Sequence, residues 1–324
     1  MPSVRNILEK INVSSPVRFD EPMSRHTSFK VGGPADIYAE PRTIDDLSII
    51  VREVRRLGLP LFPLGGGANI LVSDAGIRGV VVDMHNFDEL TIVEPAAPES
   101  ETPAGALVRA GAGLAISDVA AWCADRDLGG LDFLYAMPGS VGGSIWMNAR
   151  CYGVSIDEVL REVDYVDVTG ERRTYQVDRT DFDYKRSPFQ KQPWIIASGV
   201  FALRPEESAD LWLRMKEHQE DRTGKGHFVA PSAGSVFKNN RSFGNPSGKI
   251  IDDLGLRGYQ IGGARVSDSH ANIIVNTGTA TARDIRRLIE YVESEVLAQK
   301  GLKLDREVLY AGEWSEDWGR EAYT

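Results

Sequence analysis

Cysteine is nearly missing: Cys123 and Cys151 are the only two in 324 residues and they form no C-x-x-C, so a disulfide framework has no basis. Histidine is sparse as well. The five present show no H-E-x-x-H or other zinc-ligand spacing, which argues against a metal centre. No run of 18 apolar residues is available to span a bilayer. Basic residues fall short of acidic ones, 37 against 47 for a net charge of −10, so most of the surface repels nucleic acid and anionic lipid. An anionic ligand therefore needs a local positive site. The stretch MPSVRNILEKINVSS is broken by Arg5, Glu9 and Lys10 and lacks the apolar core of a secretory signal, so the expected address is the cytoplasm.

What the chain has is length and glycine. Its size allows two or three domains, and its 32 glycines are clustered, which excludes collagen-like and low-complexity readings. The pattern divides near residues 85 and 204. In the first region, Thr43 with Asp46 resembles a capping box before the helical set Ile44, Leu47, Ile50, Val51, Val54 and Leu57, stopped by Gly58 and Pro60. Apolar runs at 61–64, 70–72 and 79–82 predict strands around a glycine loop.

The middle region opens on an acidic, Pro/Ala-rich stretch, 94–105, expected as an exposed loop. A helix follows at about 116–127, with Ser117 as cap and Cys123 facing inward. The runs 163–168 and 172–177 predict a hairpin, and 194–203 another strand. The last region predicts a helix to about 221, a short one after Ser247, a strand at 271–275, and a long helix at about 282–299 between Thr281 and Gly301. Strands and helices do not alternate regularly, so the fold class is α+β with mixed or antiparallel sheets.

Two glycine clusters stand out. Gly65-Gly66-Gly67-Ala68-Asn69-Ile70 has isoleucine where a dinucleotide fingerprint needs its third glycine, and no P-loop motif is present. Each cluster reads equally as a tight turn or as a backbone nest for phosphate, because only glycine lets successive N–H groups converge on phosphate oxygens.

Taken in order, the segments 26–36 (HTSFKVGGPAD), 64–70 (LGGGANI), 137–149 (MPGSVGG with MNA), 233–239 (AGSVFKN), 262–267 (GGARVS), 270–272 (HAN) and 304–307 (LDRE) closely resemble the UDP-N-acetylenolpyruvoylglucosamine reductase (MurB) family. The match runs from about residue 20 to about 312, and the shorter loops suggest the family's second type. The resemblance implies a flavoenzyme of the vanillyl-alcohol-oxidase or p-cresol-methylhydroxylase fold. FAD would be held noncovalently by subdomains 1–85 and 86–204, and the UDP-sugar by 205–324. It further implies a monomer that uses NADPH to reduce UDP-N-acetylglucosamine enolpyruvate to UDP-N-acetylmuramate for peptidoglycan. Another flavin oxidoreductase of this fold, acting on a sugar or hydroxy acid, and a non-catalytic nucleotide-sugar binder are the alternatives.

The resemblance also implies roles. Ser235 matches the proton-donating serine and Glu307 the essential glutamate; on their own they read as a loop-to-strand serine and a surface carboxylate. Tyr184, Asn239 and His270 match substrate-contacting positions, with a structural histidine as the rival for His270. Flavin contacts fall on Gly65, Gly66, Gly67, Asn69 and Ser73 in one loop. In the other they fall on Pro138, Gly139, Ser140, Gly142, Gly143 and Asn148. Cys151 and His26 could attach a flavin covalently, but the noncovalent form is preferred.

The chain departs from the family at three places. Tyr-Arg-x-Ser-x-Phe becomes Tyr184-Lys185-Arg186-Ser187-Pro188-Phe189. If the segment is extended, successive side chains alternate, so Lys185 would meet the substrate carboxylate while Arg186 points away. Leu309 replaces a second arginine, for which Arg306 is a candidate substitute, and Arg150 stands where the family has glycine.

Overall fold

The computed structural model describes residues 16–93 and 105–314. The expected loop at 94–105 lies outside them except for Gly105. These residues form two compact units. The first holds those up to Phe19 with Ile37–Gly66 and Gly79–Gln219; the second holds Asp20–Asp36, Gly67–Arg78 and those from Glu220 onward.

The first unit contains an antiparallel sheet ordered Arg172–Gln176, Leu160–Val166, Ile195–Pro205, Ala106–Gly111, Leu90–Val93, with Leu128–Gly129 also pairing to Ile195–Pro205. The expected hairpin is there, with Val163 opposite Tyr175. Residues 61–64 pair in parallel with 80–83. The helix Ile44–Arg56 starts as its sequence dictates: the Thr43 hydroxyl accepts the Asp46 N–H at 3.1 Å. Its face of Leu47, Ile50, Val51 and Val54 enters one apolar core with Val80, Val82 and Val108, each such side chain contributing about 1.5–3 kcal/mol by burial.

The helix Ile116–Ala124 corrects an expectation. Ala115 is its N-cap, without a side-chain bond, because the Ser117 hydroxyl accepts instead from the Ala136 N–H at 2.9 Å. Cys123 is buried as expected, and burial pushes its thiol up to about 12, so it stays protonated and inert.

The second unit contains an antiparallel sheet ordered Ser232–Ser235, Ile273–Asn276, Ala264–Val266, Gln260–Ile261. The helix Ala282–Lys300 buries Ile285, Leu288, Ile289, Val292 and Val296 in its core. Its predicted limits hold: Thr281 and Asp284 form a capping box, and Gly301 ends it in the left-handed region. Asp74 adds a second cap, accepting from the Ala282 and Arg283 amides at 2.8 and 2.9 Å. The strand Ile70–Val72 pairs in parallel with Leu309–Ala311.

Candidate active site

In the first unit the two glycine loops touch each other. A Cβ on Gly66 would lie 2.8 Å from the Gly139 Cα, and one on Gly65 would lie 2.4 Å from the Ser140 Oγ. Glycine is therefore required by contact, not only by turn geometry. Ser140 ties the loops together: its hydroxyl accepts from the Gly66 and Gly143 N–H groups, both at 3.3 Å. It also caps the helix Val141–Trp146. Gly66 and Gly143 are themselves exposed, as is Pro138. Exposed backbone without side chains, next to a hydroxyl and a helix start, is what a diphosphate needs, so these residues fit the diphosphate of FAD.

Asn148 is buried and turned inward. Its amide donates to the Asp183 carbonyl at 2.9 Å and its oxygen accepts from the Asp157 N–H at 3.3 Å. The Lys185 segment departs from the extended chain expected of it. Asp183 and Arg186 exchange both backbone hydrogen bonds, at 3.0 and 3.1 Å, and Lys185 sits in the left-handed region at φ +57°. The alternation argument for Lys185 over Arg186 therefore fails, because the segment is a tight turn. Within it Lys185 is half-buried, whereas Tyr184 and Arg186 are exposed. Arg150 donates to the Ser155 hydroxyl at 3.0 Å, and the Cys151 thiol lies 3.8 Å from the Met137 sulfur.

The second unit brings together Ser235, Glu307 and Asn69. The Val236 carbonyl accepts from the N–H groups of Glu307 and Val308 at 2.7 and 3.3 Å. The Asn69 amide donates to the Glu307 carbonyl at 2.9 Å, and the Asn69 carbonyl accepts from the Leu309 N–H at 3.0 Å. Asn272, present in the sequence analysis only as part of the 270–272 segment and given no role, locks the other side of the Ser235 segment. It is buried, accepts from the Phe237 N–H at 3.0 Å and donates to the Phe237 carbonyl at 2.8 Å. A buried amide in an apolar run must be hydrogen-bonded, and that was the signal available.

Asn239 is exposed and its oxygen accepts from the Ser247 N–H at 3.0 Å. His270 Nδ1 accepts from the Asn272 N–H at 3.2 Å. Its ring lies 5.8 Å from that of His227. Burial lowers the pKa of both, His227 to about 4 with help from Arg222 and His270. Gly67 and Ser73 also belong to this unit. A Cβ on Gly67 would fall 2.0 Å from the His26 carbonyl oxygen, and the buried Ser73 hydroxyl donates to the Glu313 carbonyl at 2.5 Å. His26 itself meets Glu21 at 2.8 Å. Arg306 does not take the place of the missing arginine: its guanidinium meets the Glu293 carboxylate at 2.5 and 3.0 Å and lies over the Tyr310 ring.

Residues 35–175 match an FAD-binding domain and residues 226–311 the C-terminal domain of UDP-N-acetylenolpyruvoylglucosamine reductase. The reductase of that name from Treponema denticola is 40% identical over 310 residues, covering 92% of this chain and 94% of that protein. The one from Borreliella burgdorferi is 35% identical, covering 96% and 98%. Among solved structures, the MurB reductase from Thermus caldophilus superposes with a TM-score of 0.74 at 27% identity, over 92% of this chain and 98% of that one.

Proposed function

The chain belongs to the UDP-N-acetylenolpyruvoylglucosamine reductase family, and on that footing we propose that it reduces UDP-N-acetylglucosamine enolpyruvate to UDP-N-acetylmuramate in peptidoglycan-precursor synthesis. One observation carries the reading: the Val236 carbonyl and the Asn69 amide fasten Glu307 beside the segment that presents Ser235. Noncovalently bound FAD would supply hydride, taken from NADPH, to the vinyl methylene carbon. Residues 1–85 and 86–204 would hold it, and 205–324 the UDP-sugar.

As hydride arrives, charge builds on the neighbouring carbon and its carboxylate, and the protein must meet that charge and supply a proton. Ser235 donates the proton to the carbon. Glu307 orients and replenishes that proton, Lys185 faces the carboxylate with Arg186 outside it, and Tyr184, Asn239 and His270 contact the nucleotide sugar. Gly65, Gly66, Gly139 and Gly143 keep the backbone of the two touching loops bare for the cofactor diphosphate, while Gly142 lets the helix start pack on Ala112.

The protein is expected to act as a monomer in the cytoplasm; no helix among the described residues is long and apolar enough to cross a membrane. The test is the visible spectrum of the purified protein. NADPH should bleach a flavin band that the enolpyruvyl sugar then restores without oxygen. A flavin that NADPH reduces but that substrate leaves bleached would sink this activity while sparing the cofactor assignment.

A further inference from the structure

The turn that carries Lys185 is fastened to the end of the helix Val141–Trp146 by three side chains. The Ser187 hydroxyl and the Gln190 amide both donate to the Trp146 carbonyl, at 2.6 and 2.9 Å. The same Gln190 amide donates to the Lys185 carbonyl at 3.1 Å, and Asn148 holds the Asp183 carbonyl at 2.9 Å. Carbonyls in the last turn of a helix lack intrahelical partners, so these bonds use acceptors the helix cannot use itself.

They also act on a residue that needs holding. A left-handed conformation in a residue with a Cβ costs about 1–2 kcal/mol, and Lys185 adopts it. By holding the Lys185 carbonyl, Gln190 restricts ψ of Lys185 and so narrows the directions its Cα–Cβ bond can take. The helix is six residues long, about 9 Å at 1.5 Å per residue, and it begins in the glycine loop. One short rod thus joins the loop that fits the cofactor diphosphate to the turn that carries the cation.

We infer that Gln190, with Asn148 and Ser187, is a positioning residue that holds Lys185 at a fixed distance and direction from the flavin loop. This rests on the role proposed above for Lys185. Misplacing a group by about 1 Å can cost on the order of a hundredfold in rate, so a measurable loss is expected from bonds that touch no substrate.

The experiment uses the holoenzyme and Gln190→Met, which keeps the side chain's length and removes its donors. FAD content and flavin reduction by NADPH should be unchanged, while kcat for the enolpyruvyl sugar falls about tenfold or more with little change in KM. In a Lys185→Gly background the same substitution should add less than about twofold, because coupled residues do not act additively. Ser187→Ala, a smaller change at a buried position, should show the same pattern more weakly, and serves if Gln190→Met does not fold.

Wild-type kinetics in these variants, an equal loss in both backgrounds, or a parallel loss of FAD would overturn the inference with the proposed activity intact. So would a fully active Lys185→Gly. A wild-type protein that never reduces the substrate would overturn both.

Discussion

The side-chain amide of Asn69 donates to the main-chain carbonyl of Glu307 at 2.9 Å, joining residues 238 positions apart. Asn69 follows a glycine cluster and by sequence alone belongs to the cofactor loop. Its amide also holds the Glu307 main chain. Asn69→Ala should therefore lower stability in urea by about 1–3 kcal/mol, the cost of leaving a carbonyl unpaired. It should also slow substrate reduction more than flavin reduction by NADPH. Equal effects on the two half-reactions would mean that Asn69 serves the cofactor.

Ser235→Ala should leave flavin reduction nearly intact and slow the second half-reaction by about a hundredfold or more, since general acid catalysis contributes on that scale. Stopped-flow absorbance separates the two steps. Glu307→Gln should show the same asymmetry, and a loss confined to flavin reduction would contradict both assignments.

For the cofactor loop the sensitive position is Gly142. A Cβ there would lie 2.9 Å from the Ala112 Cβ and 3.2 Å from its carbonyl oxygen, closer than packed atoms tolerate. Gly142→Val should push the helix start off Ala112 and reduce the FAD-to-protein ratio after gel filtration. An unchanged ratio would show that the loop does not hold the cofactor.

Because Lys185 is left-handed, Lys185→Gly relieves backbone strain while deleting the cation. Substrate turnover should fall about a hundredfold, the worth of one electrostatic contact in a dry site, and flavin reduction should be spared. Arg186→Ala should stay within about threefold, the scale of removing an exposed charge away from the reacting atoms. The opposite ranking would give Arg186 the role.

The pH dependence of stability has a predicted sign. His227 is held near 4 by burial, then by Arg222, His270 and Lys225, against an opposing Asp221; His270 is lowered too, by burial, Lys225 and Arg257. A histidine lowered in the folded state binds fewer protons there than in the unfolded chain. Its contribution is thus fully present above the ordinary histidine value of about 6.5 and lost as pH falls toward 4. The urea midpoint should drop between pH 7 and pH 5, and His227→Gln should flatten that slope. Identical slopes would mean that His227 is solvated.

Helix ends were legible where the capping residue had no competitor. Thr43 and Thr281 cap as read, but Ser117 does not, because a backbone N–H from residue 136 claims its hydroxyl and local sequence does not reveal such a partner. The strands at 61–64, 70–72 and 79–82 were visible individually, the last running to Ile77–Asp83 in the structure. That 70–72 pairs with 309–311 while 61–64 pairs with 80–83 was not, since nothing in either segment encodes its partner. At the site, residue types and order were readable, and Lys185 shows the limit. Alternation assumed an extended chain, whereas bonds from Asn148 and Gln190 to its turn decide the conformation.

The parallel pairing of Ile70–Val72 with Leu309–Ala311 also imposes an order on biogenesis. A ribosome adds about 5–20 residues per second, so the early strand waits on the order of tens of seconds before its partner has been made. Residues 79–93 and 105–219 can pack during that interval, but the strand that follows the first glycine loop cannot be completed. The nascent chain therefore holds an apolar strand with an unpaired edge until Leu309–Ala311 has been made, and over that interval the segment is exposed to the mispairing that chaperones suppress.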